Sequence, residues 1–209
     1  KFYRPGRWSD EQVAEEHRFL RQLARAGLPV AAPLRVDRSL AGTVGRIGGI
    51  LFGIFPAVPG RIPDEITWGL AEAAGQVLAR IHQIGAREPF LKRPRLLPEH
   101  WALAPLRDLR DQGVVPVDLA DAFLACAEDL ARAAEPLLRR TESIRIHGDF
   151  HRANLLWGAG PYVVDFDDTM QGPPVHDVWL MVPGTDDEAR ALRQTMLEAY
   201  QEVRDFDRQ

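Results

Sequence analysis

The sequence predicts an α+β chain built as two lobes that face each other across a cleft. Three features carry this expectation. The first fifty-odd residues combine one amphipathic helix with β-rich segments. Pro56, Pro59 and Gly60 punctuate the chain where that character changes. The remainder reads as helices interrupted by two short apolar strands around a crowded polar loop. A length of 209 residues is enough for one sizeable core or for two small lobes.

The first helix is marked at both ends. In WSDEQVAEEHRFLRQLARAGLP, Ser9 is a candidate N-cap and Gln12 stands three residues on, as a capping box requires. Phe19, Leu20 and Leu23, with Val13 and His17 near them, form its apolar face, and Gly27 followed by Pro29 ends it. The next stretch, PVAAPLRVDRSLAGTVGRIGGILFGIFPAV, is β-rich with turn signals at Asp37–Ser39 and Gly48–Gly49. Beyond the crossing, helices are expected over about 64–85, in a weaker segment near 99–111, and over about 117–140. SIRIHGD and PYVVDFD are short strands flanking the polar loop, and PVHDVWLMVPG and 186–203 close the chain as helices.

Composition excludes several classes of function. Apolar content of 45% and charged content of 27% are ordinary for a globular protein. A net charge of -4 gives no reason to expect nucleic-acid binding. Of the 26 basic residues only Lys1 and Lys92 are lysines, so a lysine with a role is easy to locate. Cys126 is alone, which leaves neither a disulfide framework nor a cysteine zinc site. No apolar run reaches membrane-spanning length and no signal peptide is visible, so a cytoplasmic location and no membrane partner are expected. The chain opens on Lys1, inside KFYRPGRW, and reads as a fragment with something N-terminal removed.

The chemistry concentrates in RIHGDFHRANLLWGAGPYVVDFDD, residues 145–168. One reading is a metal hydrolase, with His147, Asp149 and His151 on one face of a strand and His176 and Asp177 added. Gly148 interrupts such a strand, and Asn154 has no obvious place at a zinc site. The other reading is phosphoryl transfer. Asp149 leads through four residues to Asn154, and eleven residues later, after a strand, a glycine-rich turn and a second strand, comes Asp165-Phe166-Asp167. That order matches the kinase pattern of a base-supplying Asp, an Asn after four intervening residues, and a metal-binding Asp farther on. Asp149 would sit beside the acceptor hydroxyl, while Asn154 and Asp165 would offer hard oxygens to Mg²⁺. Blander readings compete for the neighbours. His147 is a buried brace, and His151 a loop contact. Asp167 and Asp168 are turn-formers or solvated charges. Asp177 is either an N-cap for VWLMV or a brace for the loop.

RIHGDFHRANLLW followed by YVVDFDD resembles the aminoglycoside phosphotransferase and choline kinase branch of the protein-kinase-like superfamily. With KFYRPGRWS, EEHRFL, PVAAPL and PPVHDVWLM, the likeness narrows to bacterial stress-response serine/threonine protein kinases and runs from Lys1 to about Phe206. The resemblance implies a two-lobed kinase-like fold. Residues 1–56 are the remnant of the ATP-binding lobe, with its Gly-rich loop and first strands lying before Lys1, and 57–209 are the catalytic lobe. It implies Asp149 as catalytic base and Asp165 as its catalytic partner, with Asn154 and Asp165 as Mg²⁺ ligands. Lys1 matches the lysine on the ATP α/β-phosphates, paired with Glu16 or, as runner-up, Glu15, against the bland reading of both as an exposed helix face. Phe55 or Ala57 would offer backbone groups to adenine. Asp167 replaces the glycine of the eukaryotic D-F-G, which removes any argument for an activation-loop switch of that kind. The expected activity is Mg·ATP-dependent phosphorylation of a protein Ser or Thr by a monomer. A small-molecule alcohol kinase and a non-catalytic kinase-fold module are the alternatives.

Overall fold

The computed structural model describes residues 1–36 and 42–207, and the turn expected at Asp37–Ser39 lies outside them. Helix α1 (Asp10–Arg25) starts at the capping box read from the sequence: the Ser9 side chain accepts from the Gln12 N–H, and the Gln12 side chain accepts from the Ser9 N–H. It ends at Gly27, whose φ of 74° suits a residue without Cβ. Strands β1 (Gly45–Ile47) and β2 (Ile50–Phe52) form an antiparallel hairpin. Its two-residue turn is Gly48–Gly49, both with positive φ, as a type I′ turn demands. Residues 1–3 run along the other edge of β2: the Tyr3 N–H donates to the Leu51 carbonyl at 2.9 Å and the Gly53 N–H to the Lys1 carbonyl at 2.9 Å. Lys1 is thereby held in extended backbone alongside β2.

Helix α2 (Trp68–Gly85) begins four residues later than its periodicity suggests, because Thr67 caps it through the Leu70 N–H. A π-type turn (Glu99–Leu103) leads into α3 (Ala104–Gln112), and α4 (Val117–Arg140) follows. Of the 24 residues of α4 only Leu124 and Ala131 are buried; Leu119, Phe123, Leu130 and Leu137 face outward.

The polar loop is more strand-bound than a single two-strand insert. Strand β3 (Ile144–Ile146) pairs antiparallel with β6 (Met170–Gly172), while β4 (Leu155–Trp157) and β5 (Pro161–Val163) form the expected hairpin inside that pair. The sequence MQG at β6 has neither alternation nor β-branched residues, so nothing local marks it. Helices α5 (Val175–Met181) and α6 (Asp187–Gln201) follow as expected.

One core joins these parts. Phe19, Leu20 and Leu23 of α1 share a buried cluster with Leu78 and Ile81 of α2, Phe150, Leu155, Val163 and Phe166 around the polar loop, and Met196 and Tyr200 of α6. Helix α2 buries a broad apolar face and leaves Glu72, Gln76 and Gln83 exposed along a narrow polar stripe. It meets α6 so closely that a Cβ on Gly75 would overlap the Met196 carbonyl oxygen, whereas Gly69, on the exposed first turn, has open space about it. Ala at 69 is therefore expected to stabilise by about 0.5 kcal/mol, and Ala at 75 to destabilise by about 2 kcal/mol or more. Thermal unfolding followed by circular dichroism should move in opposite directions for the two variants. Equal melting temperatures would refute the close helix contact.

Candidate active site

The loop after β3 is built on a buried carboxylate. Asp177, in the first turn of α5, accepts the N–H of His147 on Oδ2 at 2.8 Å and the N–H of Gly148 on Oδ1 at 2.9 Å. His82 of α2 reaches the same Oδ2 at 2.9 Å through Nε2, and its Nδ1 lies 2.9 Å from the Tyr200 hydroxyl. Pro174, not Asp177, occupies the N-cap of α5, so the bracing reading of Asp177 holds and the capping reading does not. Burial would push the Asp177 carboxyl up, but the His82 bond and the His147 and Gly148 side of the loop outweigh it and hold the group below the usual range.

Gly148 is required twice over. Its φ is 86°, and a Cβ there would overlap the Asp168 carbonyl oxygen, so the two functional loops touch backbone to backbone at this point. His147 is a brace, as expected: it is buried, it stacks 4.4 Å from the Phe166 ring centroid, Nε2 donates to the Val164 carbonyl at 3.0 Å, and Nδ1 accepts from the Asp149 N–H at 3.3 Å. His176 spends Nε2 on the Gly148 carbonyl at 3.1 Å. Among the described residues no group of three or more His, Cys, Asp and Glu is disposed to hold a metal, and two histidines of the hydrolase reading, His147 and His176, are committed to backbone carbonyls.

Asp149 projects from this brace with 37% of its side chain exposed. The Asn154 amide nitrogen donates to the Asp149 carbonyl at 2.9 Å and to Asp149 Oδ2 at 3.1 Å. His151 caps the short 3-10 turn 152–154 by accepting from the Ala153 N–H, and its Nε2 lies 3.3 Å from Asp149 Oδ2. The Asn154 carbonyl accepts the Val164 N–H at 3.0 Å, which places Asp165 next to this pair across the hairpin. The bonds of the Asn154 side chain all run through nitrogen, so its oxygen is the atom left for a cation. Asp165 is 54% exposed and is the one non-glycine residue among those described with positive φ, at 59°. Aspartate tolerates that conformation better than most residues, and here it turns the carboxylate toward Lys1. A carboxylate and an amide oxygen are the hard donors that suit Mg²⁺, with the remaining positions left to water or phosphate.

Lys1 closes the group. Its Nζ lies 2.8 Å from Asp165 Oδ1, 3.2 Å from Asp167 Oδ1 and 4.0 Å from Glu16 Oε1. Burial lowers the proton affinity of this amine, yet Glu16, Asp165 and Asp167 together raise it, so it is a cation. In Asp165, burial is outweighed by the Lys1 bond and charge, and the carboxyl is held below its ordinary value. These residues wall a cleft of roughly 400 Å³ whose remaining lining is apolar: Leu20, Ala31, Phe55, Val58, Val163 and Phe166. Phe55 is in that wall, and Ala57 is exposed beside it without lining it.

Glu15 and Glu16 of α1 separate cleanly. Both are buried, against the exposed-face reading. Glu15 turns away and accepts the N–H groups of Leu91, Lys92 and Arg93 at 2.8, 2.9 and 2.8 Å. Glu16 faces Lys1 and also bonds Tyr3 and Arg93. Asp167 is not a solvated turn-former: besides Lys1 it takes Arg7 Nη1 at 2.8 Å, and Arg7 also bonds Asp168. Neither Arg7 nor Arg93 was singled out by the sequence, and among 24 arginines no local signal separates them.

The sequence pattern of the phosphotransferase enzyme family matches residues 1–209. The chain belongs to this family. Within it, the chain is 37% identical over 208 residues to stress response kinase A of Escherichia coli strain K12, and 38% identical to the serine/threonine protein kinase RdoA of Salmonella typhimurium. Each alignment covers 99% of this chain and 62% of the relative, so the chain spans a little under two thirds of the curated relatives it matches. Solved structures of other kinases share the fold. Amicoumacin kinase hAmiN, in complex with AMP-PNP and Ca²⁺, superposes with a TM-score of 0.76 at 22% identity over 96% of this chain and 64% of its own. A microcompartment-associated aminopropanol kinase gives 0.71 at 21% identity over 99% of this chain and 69% of its own. The α+β, kinase-like architecture expected from the sequence is therefore the architecture of this family member. No helix among the described residues is long and apolar enough to cross a membrane.

Glu16 and His17 carry opposite pH signatures. Burial pushes the Glu16 carboxyl up to about 7, against the pull of Arg93 and Lys1. Burial also drives His17 down to about 4, with the Lys1 and Arg93 charges adding to it. The Tyr3 hydroxyl, donating to Glu16 at 3.0 Å and 2.9 Å from His17 Nε2, joins the two, and His17 Nδ1 meets Thr43 Oγ1 at 2.9 Å. A raised acid favours the folded state below its unfolded pKa of 4.5, and that contribution is lost as pH climbs toward 7. A depressed histidine favours it above 6.5, and that contribution is lost as pH falls toward 4. Between pH 4.5 and 6.5 the two oppose. Urea unfolding of Glu16→Gln should show stability rising with pH across this window by about 2 kcal/mol, and His17→Gln should show it falling. Slopes of the same sign in both variants would contradict the assignment.

Proposed function

We propose that this chain carries the catalytic machinery of a Mg·ATP-dependent phosphotransferase acting on Ser or Thr hydroxyls of a protein. The observation that carries the reading is two side-chain pairs, Asp149–Asn154 and Lys1–Asp165, joined by the backbone bond from the Val164 N–H to the Asn154 carbonyl, with Lys1 and Asp165 lining one apolar-walled cleft. In this reading residues 1–56 handle the nucleotide. Lys1 holds the α/β-phosphates, Glu16 supports Lys1, and backbone groups at Phe55 or Ala57 face adenine. Residues 57–209 supply the chemistry. Asp149 orients the acceptor hydroxyl and takes its proton as the new O–P bond forms and the bond from the γ-phosphorus to the bridging oxygen breaks, releasing ADP. Asn154 and Asp165 would hold Mg²⁺, which when bound neutralises phosphate charge. The protein works in the cytoplasm, where Mg·ATP is abundant, and acts as a monomer without nucleic-acid or membrane partners.

A protein acceptor is favoured by the name of one relative, the serine/threonine protein kinase RdoA at 38% identity, and by the open setting of Asp149. The solved neighbours named for small-molecule acceptors share only the fold at 21–22% identity, so a small alcohol is the competing acceptor. A binding module without activity would have no physical need for Asp149, Asn154 and Asp165 in this arrangement.

The test uses the full-length protein that contains this chain, with labelled ATP, a cell lysate, and a panel of amino alcohols and aminoglycosides. Label is expected on protein Ser or Thr. Asp149→Ala should reduce turnover about 10³-fold, and Asp165→Ala should abolish it. Label on the small molecules alone would shift the acceptor class, and equal turnover by wild type and Asp165→Ala would sink the kinase reading.

A further inference from the structure

Arg93 belongs to none of the motifs, yet it is only 3% exposed and sits where three parts of the site meet. Its Nη2 donates to Glu16 Oε2 at 2.6 Å and its Nη1 to the Asp167 carbonyl at 2.9 Å, while its guanidinium lies 4.3 Å from the Trp8 ring centroid. The same segment grips α1 twice more. The N–H groups of residues 91–93 converge on Glu15, and Gln12 Nε2 donates to the Lys92 carbonyl at 3.0 Å. One short stretch after α2 thus ties positions 12, 15 and 16 of α1 to the turn that carries Asp165.

Stability alone does not explain this residue. Burial lowers the proton affinity of the Arg93 guanidinium even against Glu16 and Asp167, and its Nε has no hydrogen-bond partner among the described residues. A well-packed apolar side chain against Trp8 would avoid that desolvation cost. What only the fork of a guanidinium does here is hold a carboxylate and a carbonyl from two different elements at once. With Oε2 of Glu16 fixed on Arg93, Oε1 is the atom presented to Tyr3 and Lys1.

The structure assigns Arg93 as a positioning residue for phosphoryl transfer: it fixes the Glu16 carboxylate against the 165–168 turn, so that Lys1 and Asp165 face the nucleotide phosphates at one set separation. The assignment rests on the kinase reading above. It also makes α1 a bolted helix, not one that swings to switch the site.

In the full-length protein, Arg93→Met should lower kcat/KM for ATP on the order of 100-fold. Arg93→Lys should recover only part of this, because one ammonium reaches Glu16 or the Asp167 carbonyl but not both. The deciding measurement is a double-mutant cycle with Glu16→Gln. If Arg93 acts through Glu16, adding Arg93→Met to Glu16→Gln costs less than about threefold. A residue that merely supports the fold would show multiplicative losses and a matching drop in melting temperature, and that result overturns the assignment. So does wild-type kcat/KM in a folded Arg93→Met protein. Should Arg93→Met fail to fold, the same cycle is run with Arg93→Lys. Wild-type protein that transfers no phosphate would bring down the kinase reading and this role together, an outcome distinct from an active wild type with an indifferent Arg93.

Discussion

The site hangs from the Asp177 carboxylate. A fully buried carboxylate costs several kcal/mol in desolvation, and Asp177 offsets it with two backbone N–H bonds from the loop and one contact from His82. Those bonds are also what shapes the loop. The N–H groups of His147 and Gly148 must point at α5, so the chain turns at Gly148 and presents the next residue, Asp149, outward. His82 and Tyr200 carry the same constraint back into α2 and α6, the two helices packed most intimately in the core. The direction of the Asp149 carboxylate is thus set by helix packing on the opposite side of the loop, through Asp177, His82 and Tyr200.

A second fixed point follows at Gly148, where the absence of a Cβ lets the Asp168 carbonyl approach. The first loop is braced on α5 and the second is pressed against the first, so Asp149, Asn154 and Asp165 are mutually placed by backbone contacts. The Asp149 and Asp165 side chains remain partly open, while Asn154 is buried. Among the described residues the one non-glycine with positive φ is Asp165, at 59°, and it sits where the carboxylate has to leave the hairpin toward Lys1.

Legibility in the sequence tracked locality. The capping box at Ser9, the Gly48–Gly49 turn, the helices and the 155–163 hairpin are each written within a dozen residues, and each was readable. The motif from His147 to Asp165 was readable because its spacing encodes a loop followed by a hairpin. Strand β6, the choice between Glu15 and Glu16, and the partners of Asp167 were not readable, since each depends on a segment far away in the chain. Glu15 needs residues 91–93, Asp167 needs Arg7, and Met170 needs Ile146. Periodicity shows that positions 15 and 16 share a helix; it does not show which one meets three converging N–H groups. In an arginine-rich chain, composition adds nothing to that choice.

The two lobes expected on either side of residue 56 meet through a common core, and this bears on how the cleft works. Phe19 of α1 packs edge-on against Phe166, the middle residue of the Asp-Phe-Asp turn, and against Phe90, the residue before the segment that grips α1. Apolar contact and charge therefore act along the same line: Phe19 fixes the distance between α1 and the turn, while Glu15 and Glu16 fix its orientation. Buried pairs are screened by salt much less than exposed ones, and a close-packed interior yields little to strain. The wall of the cleft that carries Lys1 and Glu16 is accordingly part of the folded core, and its geometry is decided when the chain folds.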